Sequence, residues 1–433
     1  MKKSKSIICL LACLVLLLKG CVFGVDNAET PTFQNISSEN ADIETSDEEM
    51  SDEEISSEAI SDDKTLEQNV TLKEHVSKLL SEEKEENSAI IEENKDEEPT
   101  TDEYDEKGYC YSQLSEEEKT VYNEVYHGVT ERLEVSVSTL SAEFLDKVFN
   151  CVLYDHPELF YLDGYQYTTR SRDDVTVSLS FKANYIYDEE ETKEYQQKLD
   201  GEIEALLLSA PMHGSDYDKI KYVFDTIITN TDYVMNCVDN QNILSVFLYH
   251  QSVCNGYAKA TQLLLNRLGI ESVVVNGTAD GESHAWNLVK ADGAWYYLDT
   301  TWGDADFKDN RYQEVNPINY DYFMVDSQSL SKTHTVDRLV ALPDCVAREC
   351  NYYIHENLYL NGLDPEQIGD IFARGYDSGA QVVQFKCAND AVYDEIYNYL
   401  VDEQHAFDYL DVDNHITYVA DDDANTFCFW LFN

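Results

Sequence analysis

The stretch His284-Ala285-Trp286-Asn287-Leu288-Val289-Lys290-Ala291-Asp292-Gly293-Ala294-Trp295-Tyr296-Tyr297-Leu298-Asp299 reads as two strands, His284 to Lys290 and Ala294 to Asp299, closed by a two-residue turn. Asp-Gly adopts the left-handed backbone of a tight hairpin at little steric cost, so Asp292-Gly293 marks the reversal. A turn of this length fixes the register and sets Trp286 opposite Asp299. His284 is then the diagonal neighbour of Asp299, on the same face, near enough for the carboxylate to orient the imidazole. A slip of one residue would send the two to opposite faces. Taken alone, the pair reads as a half-buried sheet histidine satisfied by an acid.

The residue that changes this reading lies upstream. Ser215 to Asn230 is amphipathic, a short helix is expected around Ile243 to Tyr249, and Cys254-Asn255-Gly256-Tyr257-Ala258 opens a helix carrying Tyr257, Thr261, Leu264, Leu265 and Leu268. Gly269 ends it as a C-terminal cap, and Glu271 to Asn276 reads as a strand. A thiol attacks an amide only as thiolate, and the free amides and dipole of a helix start favour negative charge. Cys254 stands at such a start. Asn255, Gly256 and Ala258 are small, which is expected to leave room for a substrate near the sulfur. A cysteine, a histidine and a carboxylate in this relation follow the general triad logic, in which the acid fixes the tautomer of the ring and stabilises its imidazolium form.

Three blocks, Val253-Cys254-Asn255-Gly256-Tyr257-Ala258, His284-Ala285-Trp286-Asn287 and Asp299-Thr300-Thr301-Trp302-Gly303-Asp304, resemble in order and spacing the signatures of the bacterial transglutaminase-like superfamily. The resemblance covers roughly Ser215 to Asp304. Asp155-His156-Pro157-Glu158-Leu159-Phe160 is also similar to the segment preceding this core in many exported members. The resemblance implies an α+β, papain-like transglutaminase core, in which the helix bearing the cysteine packs on an antiparallel sheet bearing the histidine and aspartate. It implies Cys254 as nucleophile, His284 as general base and then acid, and Asp299 as orienting carboxylate. An oxyanion hole is required as well, and the Cys254 amide with a Gln251 side-chain donor is the expectation there. Trp286 and Trp302 are expected to fill core beneath the cleft, and Asn287, pointing to the face opposite His284, is expected to have no direct catalytic role.

Outward from the core, the 433 residues divide by composition. Residues 1–24 read as an export signal, with Lys2, Lys3 and Lys5 before an apolar run from Ile7 to Leu18. Leu18-Lys19-Gly20-Cys21 resembles a lipoprotein pattern, so Cys21 is a candidate lipidation site; ordinary cleavage near Val22-Phe23-Gly24 is the alternative. Residues 25–107 form an acidic linker with few aromatics, expected to remain disordered apart from a short helix at Thr65 to Leu80. Residues 108–210 read as an α+β region, with a Ser115/Glu118 capping box, a helix after Ser141 and a strand through Val175 to Phe181. Asp155, His156 and Glu158 are read as a helix-end turn rather than a metal site. The core is assigned to 211–343, irregular after Asp304, and a small α+β module to 344–433. Within that module strands are expected at Tyr353 to Leu360, Val382 to Cys387, His415 to Ala420 and Thr426 to Phe432.

With 85 acidic against 30 basic residues the net charge is −55, which argues against a nucleic-acid partner. Of the eleven cysteines, Cys9, Cys13 and Cys21 belong to the leader region, and no disulfide pairing is assigned to the rest. No loop shows the alternating oxygen ligands of a calcium site, so no cofactor and no metal are expected. The functional expectation is a cell-surface cysteine peptidase or amidase, a hydrolase acting on protein or peptide amides, possible cell-envelope components among them, through a thioester. Its location is extracellular or on the cell surface, with membrane contact only through the N-terminal anchor if Cys21 is lipidated. A cross-linking transglutaminase (an acyltransferase) is the rival enzyme, and a non-catalytic surface binding protein on the same scaffold is the rival of another class.

Overall fold

The computed structural model describes residues 108–172, 175–304, 318–411 and 415–431. The leader, Cys21, the acidic linker and the Thr65 to Leu80 helix lie outside the described residues. Chain order begins with α1 (Tyr109–Ser112), α2 (Glu116–Thr130), β1 (Val135–Val137), α3 (Ala142–Asp155), β2 (Leu162–Arg172), β3 (Val175–Tyr185) and α4 (Glu189–Leu208). The Ser115/Glu118 capping box opens α2, with both reciprocal hydrogen bonds formed. β1, β3 and β2 make a three-stranded antiparallel sheet. Of these strands only β3 was legible beforehand, because β2 carries threonine, arginine and serine along an exposed face and β1 is only three residues long. Asp155, at the end of α3, accepts from the Cys110 and Tyr111 amides at 2.8 Å each and from the Tyr122 hydroxyl at 3.1 Å. Burial nevertheless pushes its carboxyl up to about 7, those hydrogen bonds opposing the rise.

The chain then runs through α5 (Asp216–Thr229), β4 (Asp232–Tyr233), α6 (Ile243–Phe247), β5 (Gln251–Ser252) and α7 (Cys254–Arg267). After these come β6 (Ser272–Ala279), β7 (Glu282–Ala291), β8 (Ala294–Leu298), α8 (Thr300–Gly303), α9 (Ser327–Leu330) and β9 (His334–Val336). The main sheet has the order β8-β7-β6-β9 and is antiparallel throughout. Asp292 and Gly293 turn β7 into β8 with φ of 50° and 78°, and Asn287 pairs with Leu298, the register expected from a two-residue turn. A second such turn, Asp280-Gly281, with φ of 49° and 84°, joins β6 to β7. β9 corrects the expectation of irregular chain after Asp304. It is three residues long, too short for alternation to show.

Each face of this sheet has its own cover. Val289, Ala291, Tyr296 and Leu298 share a core with Phe224 of α5 and Tyr257, Leu264 and Leu265 of α7. On the opposite face, Val273, Val275, Trp286, Leu288 and Tyr297 share a core with Val121 of α2 and Val148, Phe149 and Val152 of α3. Helices of the N-terminal region therefore form the second layer over the sheet.

The remaining α-helices and strands are α10 (Tyr352–His355), β10 (Tyr359–Leu360), α11 (Pro365–Ser378), β11 (Val382–Cys387), α12 (Asp390–Tyr397), β12 (Tyr418–Asp421) and β13 (Thr426–Trp430). They build a sheet of order β10-β11-β13-β12 around a separate apolar core. The strand expected from Tyr353 to Leu360 is corrected: Tyr352–His355 is a helical turn and only Tyr359–Leu360 is extended. Tyr353 is buried in the core of the preceding sheet, and Asn357 reverses the chain at φ 56° before β10 begins.

Candidate active site

Cys254 is the first residue of α7, a helix of fourteen residues. Its N-cap, Val253, contributes no side-chain hydrogen bond, so no cap competes for the amides at that end. Ala258, one turn on, packs with Val274 of β6 and Ala285 of β7, and Cys254 lies against this cluster, half-buried. The small residues after the cysteine have a different use from the one expected. A Cβ on Gly256 would strike the Ser252 and Ser245 hydroxyls, so this glycine lets α7 lie close on the preceding chain rather than opening a path to the sulfur. Asn255 is partly exposed, and its Nδ2 donates to Gln241 Oε1 at 3.2 Å.

Asn287, on the face opposite His284, donates from Nδ2 to the Ala258 carbonyl at 2.9 Å and so ties the sheet to the helix that carries Cys254. Both residues are buried. Asn287 Oδ1 has no partner among the described residues, which limits what the side chain contributes. Asn287→Leu is expected to lower stability by about 1 kcal/mol, read from a denaturant titration.

His284 Nε2 lies 2.7 Å from Asp299 Oδ2, and the Cys254 side chain is near enough to the ring to favour its charged form. Since Nε2 serves the carboxylate, Nδ1 is the nitrogen left for the thiol. Asp299 is fully buried and caps α8: its Oδ1 accepts from the Thr301 amide at 2.9 Å and the Trp302 amide at 3.0 Å. Burial opposes charge on His284, but the Asp299 carboxylate and the Cys254 sulfur overcome it and push the ring up to about 10. Burial likewise opposes ionisation of Asp299, and the His284 and His334 rings outweigh it, holding the carboxyl well below the usual carboxylate range.

These shifts have opposite consequences at the two ends of the pH scale. The stabilisation from the raised His284 is complete below its unfolded value of about 6.5 and is lost as pH climbs toward 10. That from the depressed Asp299 is complete above about 4 and lost as pH falls further. The melting temperature of the wild type should therefore exceed that of His284→Gln most clearly between about pH 5 and 6.5, with the gap closing toward pH 10.

Of the residues singled out in the sequence, Cys254, His284 and Asp299 converge. Gln251 sits exposed in β5, where its carbonyl accepts from the Cys237 thiol at 3.1 Å. Trp286 is fully buried, while Trp302 is half-buried with its ring 6.0 Å from that of His284. The eight described cysteines are all free thiols. Sequence reasoning missed two neighbours. Gln241 reaches Asn255 from a loop with no periodic signal. His334 of β9 places its Nε2 3.1 Å from Asp299 Oδ2. Ligand-capable atoms of His284, Asp299 and His334 lie within 4.8 Å of one another, a spacing that could also hold a metal ion. The two separations to the shared oxygen are those of ordinary hydrogen bonds.

Residues 208–300 match the model of the transglutaminase-like superfamily core, and Cys254, His284 and Asp299 all fall inside the match. Among solved structures, one described as a TGase is 20% identical over 35% of this chain and 49% of its own, with a TM-score of 0.23. The periplasmic domain of TgpA from Pseudomonas aeruginosa is 16% identical over 32% of this chain and 63% of its own, with a TM-score of 0.20. The chain thus spans about half the length of the first and under two thirds of the second. No curated protein sequence matches it.

Proposed function

From a chain whose residues 208–300 are a transglutaminase-like domain, we propose a cell-surface cysteine peptidase or amidase that opens protein or peptide amides through a thioester at Cys254. The observation that carries this reading is the 2.7 Å pairing of the His284 ring with the buried Asp299 carboxylate, beside a Cys254 sulfur that stands at a helix start near enough to raise that ring. In acylation the His284 ring holds the thiol proton, the thiolate adds to the amide carbon, and the C–N bond breaks as the imidazolium protonates the departing amine. Water then gives a proton to the ring, adds to the thioester, and the C–S bond breaks to regenerate the thiol. Asp299 keeps the ring in one tautomer and balances its charge throughout. The apolar run after Lys2, Lys3 and Lys5, with Cys21 beyond it, supports placement outside the cytoplasm, anchored by lipid if Cys21 is modified.

The test has two parts. Iodoacetamide at neutral pH should modify Cys254 ahead of the other thiols, and His284→Ala should abolish that preference; uniform slow labelling of all thiols would leave a non-catalytic scaffold as the better reading. A glutamine-containing peptide offered with a labelled primary amine should release cleaved or deamidated product with little amine incorporated. Incorporation without net hydrolysis would replace the peptidase reading with a cross-linking one.

A further inference from the structure

We propose that His334 is a positioning residue for this site, a second histidine that occupies one lone pair of Asp299 Oδ2 so that the other is left for His284. The inference rests on the triad reading above, yet it concerns a residue beyond the matched segment, which ends at residue 300. β9 brings it there by pairing with β6, Ala279 against His334 and Gly277 against Val336. Gly277 makes the pairing possible, because a Cβ at that position would strike the Thr335 carbonyl and the Trp286 ring.

Hydrogen-bond accounting fixes which groups donate to the carboxylate. An ionised carboxylate only accepts, so both rings must donate to Oδ2, His284 from 2.7 Å and His334 from 3.1 Å. His334 Nδ1 stands 2.8 Å from Thr333 Oγ1, which is itself 3.1 Å from the Tyr322 hydroxyl. A neutral ring fits this chain without conflict: Tyr322 donates to Thr333, Thr333 donates to Nδ1, and Nε2–H donates to the carboxylate. With Oδ1 held by the Thr301 and Trp302 amides, both oxygens of Asp299 are then engaged twice. The surroundings are aromatic and closed to solvent. The His334 side chain has no solvent exposure and that of Asp299 has 1%. The rings of Trp302, Trp286 and Tyr322 lie 4.7, 4.9 and 5.2 Å from the ring of His334. Removing the Nε2–H would leave the carboxylate short of a partner in a dry aromatic cage, free to rotate away from His284 or to take up a proton.

The experiment compares His334→Phe, which keeps a ring in the cage but donates nothing, with His334→Gln, whose amide N–H can still reach the carboxylate. The readout is the rate of Cys254 alkylation by iodoacetamide from pH 4 to 9 in the full chain, with melting curves to confirm folding. Expected is a rate at pH 7 about tenfold lower for Phe, with the acid edge of its profile moved to higher pH, and within about threefold of wild type for Gln. A purely structural role would make the two variants alike. The proposal is overturned if folded His334→Phe keeps the wild-type rate and edge, or if Gln is as slow as Phe. Should Phe fail to fold, Gln decides alone: a rate within threefold with the wild-type edge supports the donor role, and a tenfold loss overturns it. If wild-type Cys254 shows no His284-dependent labelling at all, it is the triad reading that has failed.

Discussion

Asp299→Asn is expected to slow turnover by about 10³–10⁴-fold in a chain that stays folded, an effect large enough to read from Cys254 labelling as well as from amide hydrolysis. The substitution conserves size and keeps an oxygen for the Thr301 and Trp302 amides, so the cap on α8 survives. What it changes is the other atom. The amide nitrogen meets two imidazole Nε2 atoms, both of which were donating, at 2.7 and 3.1 Å. Donor then faces donor. His284 has to take the tautomer with Nε2 bare and its proton on Nδ1, the nitrogen left for the thiol, where it can no longer accept the sulfur's proton. The counter-charge that holds His284 up to about 10 also disappears. A variant within tenfold of wild-type labelling and turnover would show that the carboxylate is only a structural cap.

The second large effect is on stability. Trp286→Ala is expected to cost about 3–5 kcal/mol in denaturant titrations, with a matching fall in melting temperature. Trp286 is fully buried between the sheet and the helices of the N-terminal region, and its ring contacts those of His284 at 5.8 Å and His334 at 4.9 Å. Its truncation therefore opens a cavity beneath two side chains of the site, and labelling of Cys254 should slow as well. Trp286→Phe separates the causes. The indole Nε1 has no partner among the described residues, so removing it abandons no hydrogen bond and relieves a buried donor. Phe should cost well under half as much as Ala; equal losses from the two would contradict a packing role.

Much of this site could be read from short-range rules. Asp292-Gly293 set the hairpin register, which in turn put His284 and Asp299 on one face, and the Ser115/Glu118 box placed the start of α2. Other readings failed where the deciding contact lies far off in sequence. Gly256 looked like space for a substrate, but its hydrogen faces Ser245 and Ser252. β9 and His334 left no trace because a three-residue strand has no periodicity and its pairing partner is remote in the chain. Tyr353 read as strand because an aromatic suits a sheet, yet it is buried in the core beside the neighbouring module and its backbone is helical.

By itself, then, the sequence determined which residues could carry the chemistry and how the hairpin aligns two of them, since turn geometry and helix starts are governed by a handful of adjacent residues. Only the tertiary structure decided how Asp299 is satisfied, by two backbone amides and two histidines arriving from different strands. Burial is the reason. A carboxylate removed from water needs every acceptor site met by the protein, and those donors come from wherever the completed fold brings backbone and rings together.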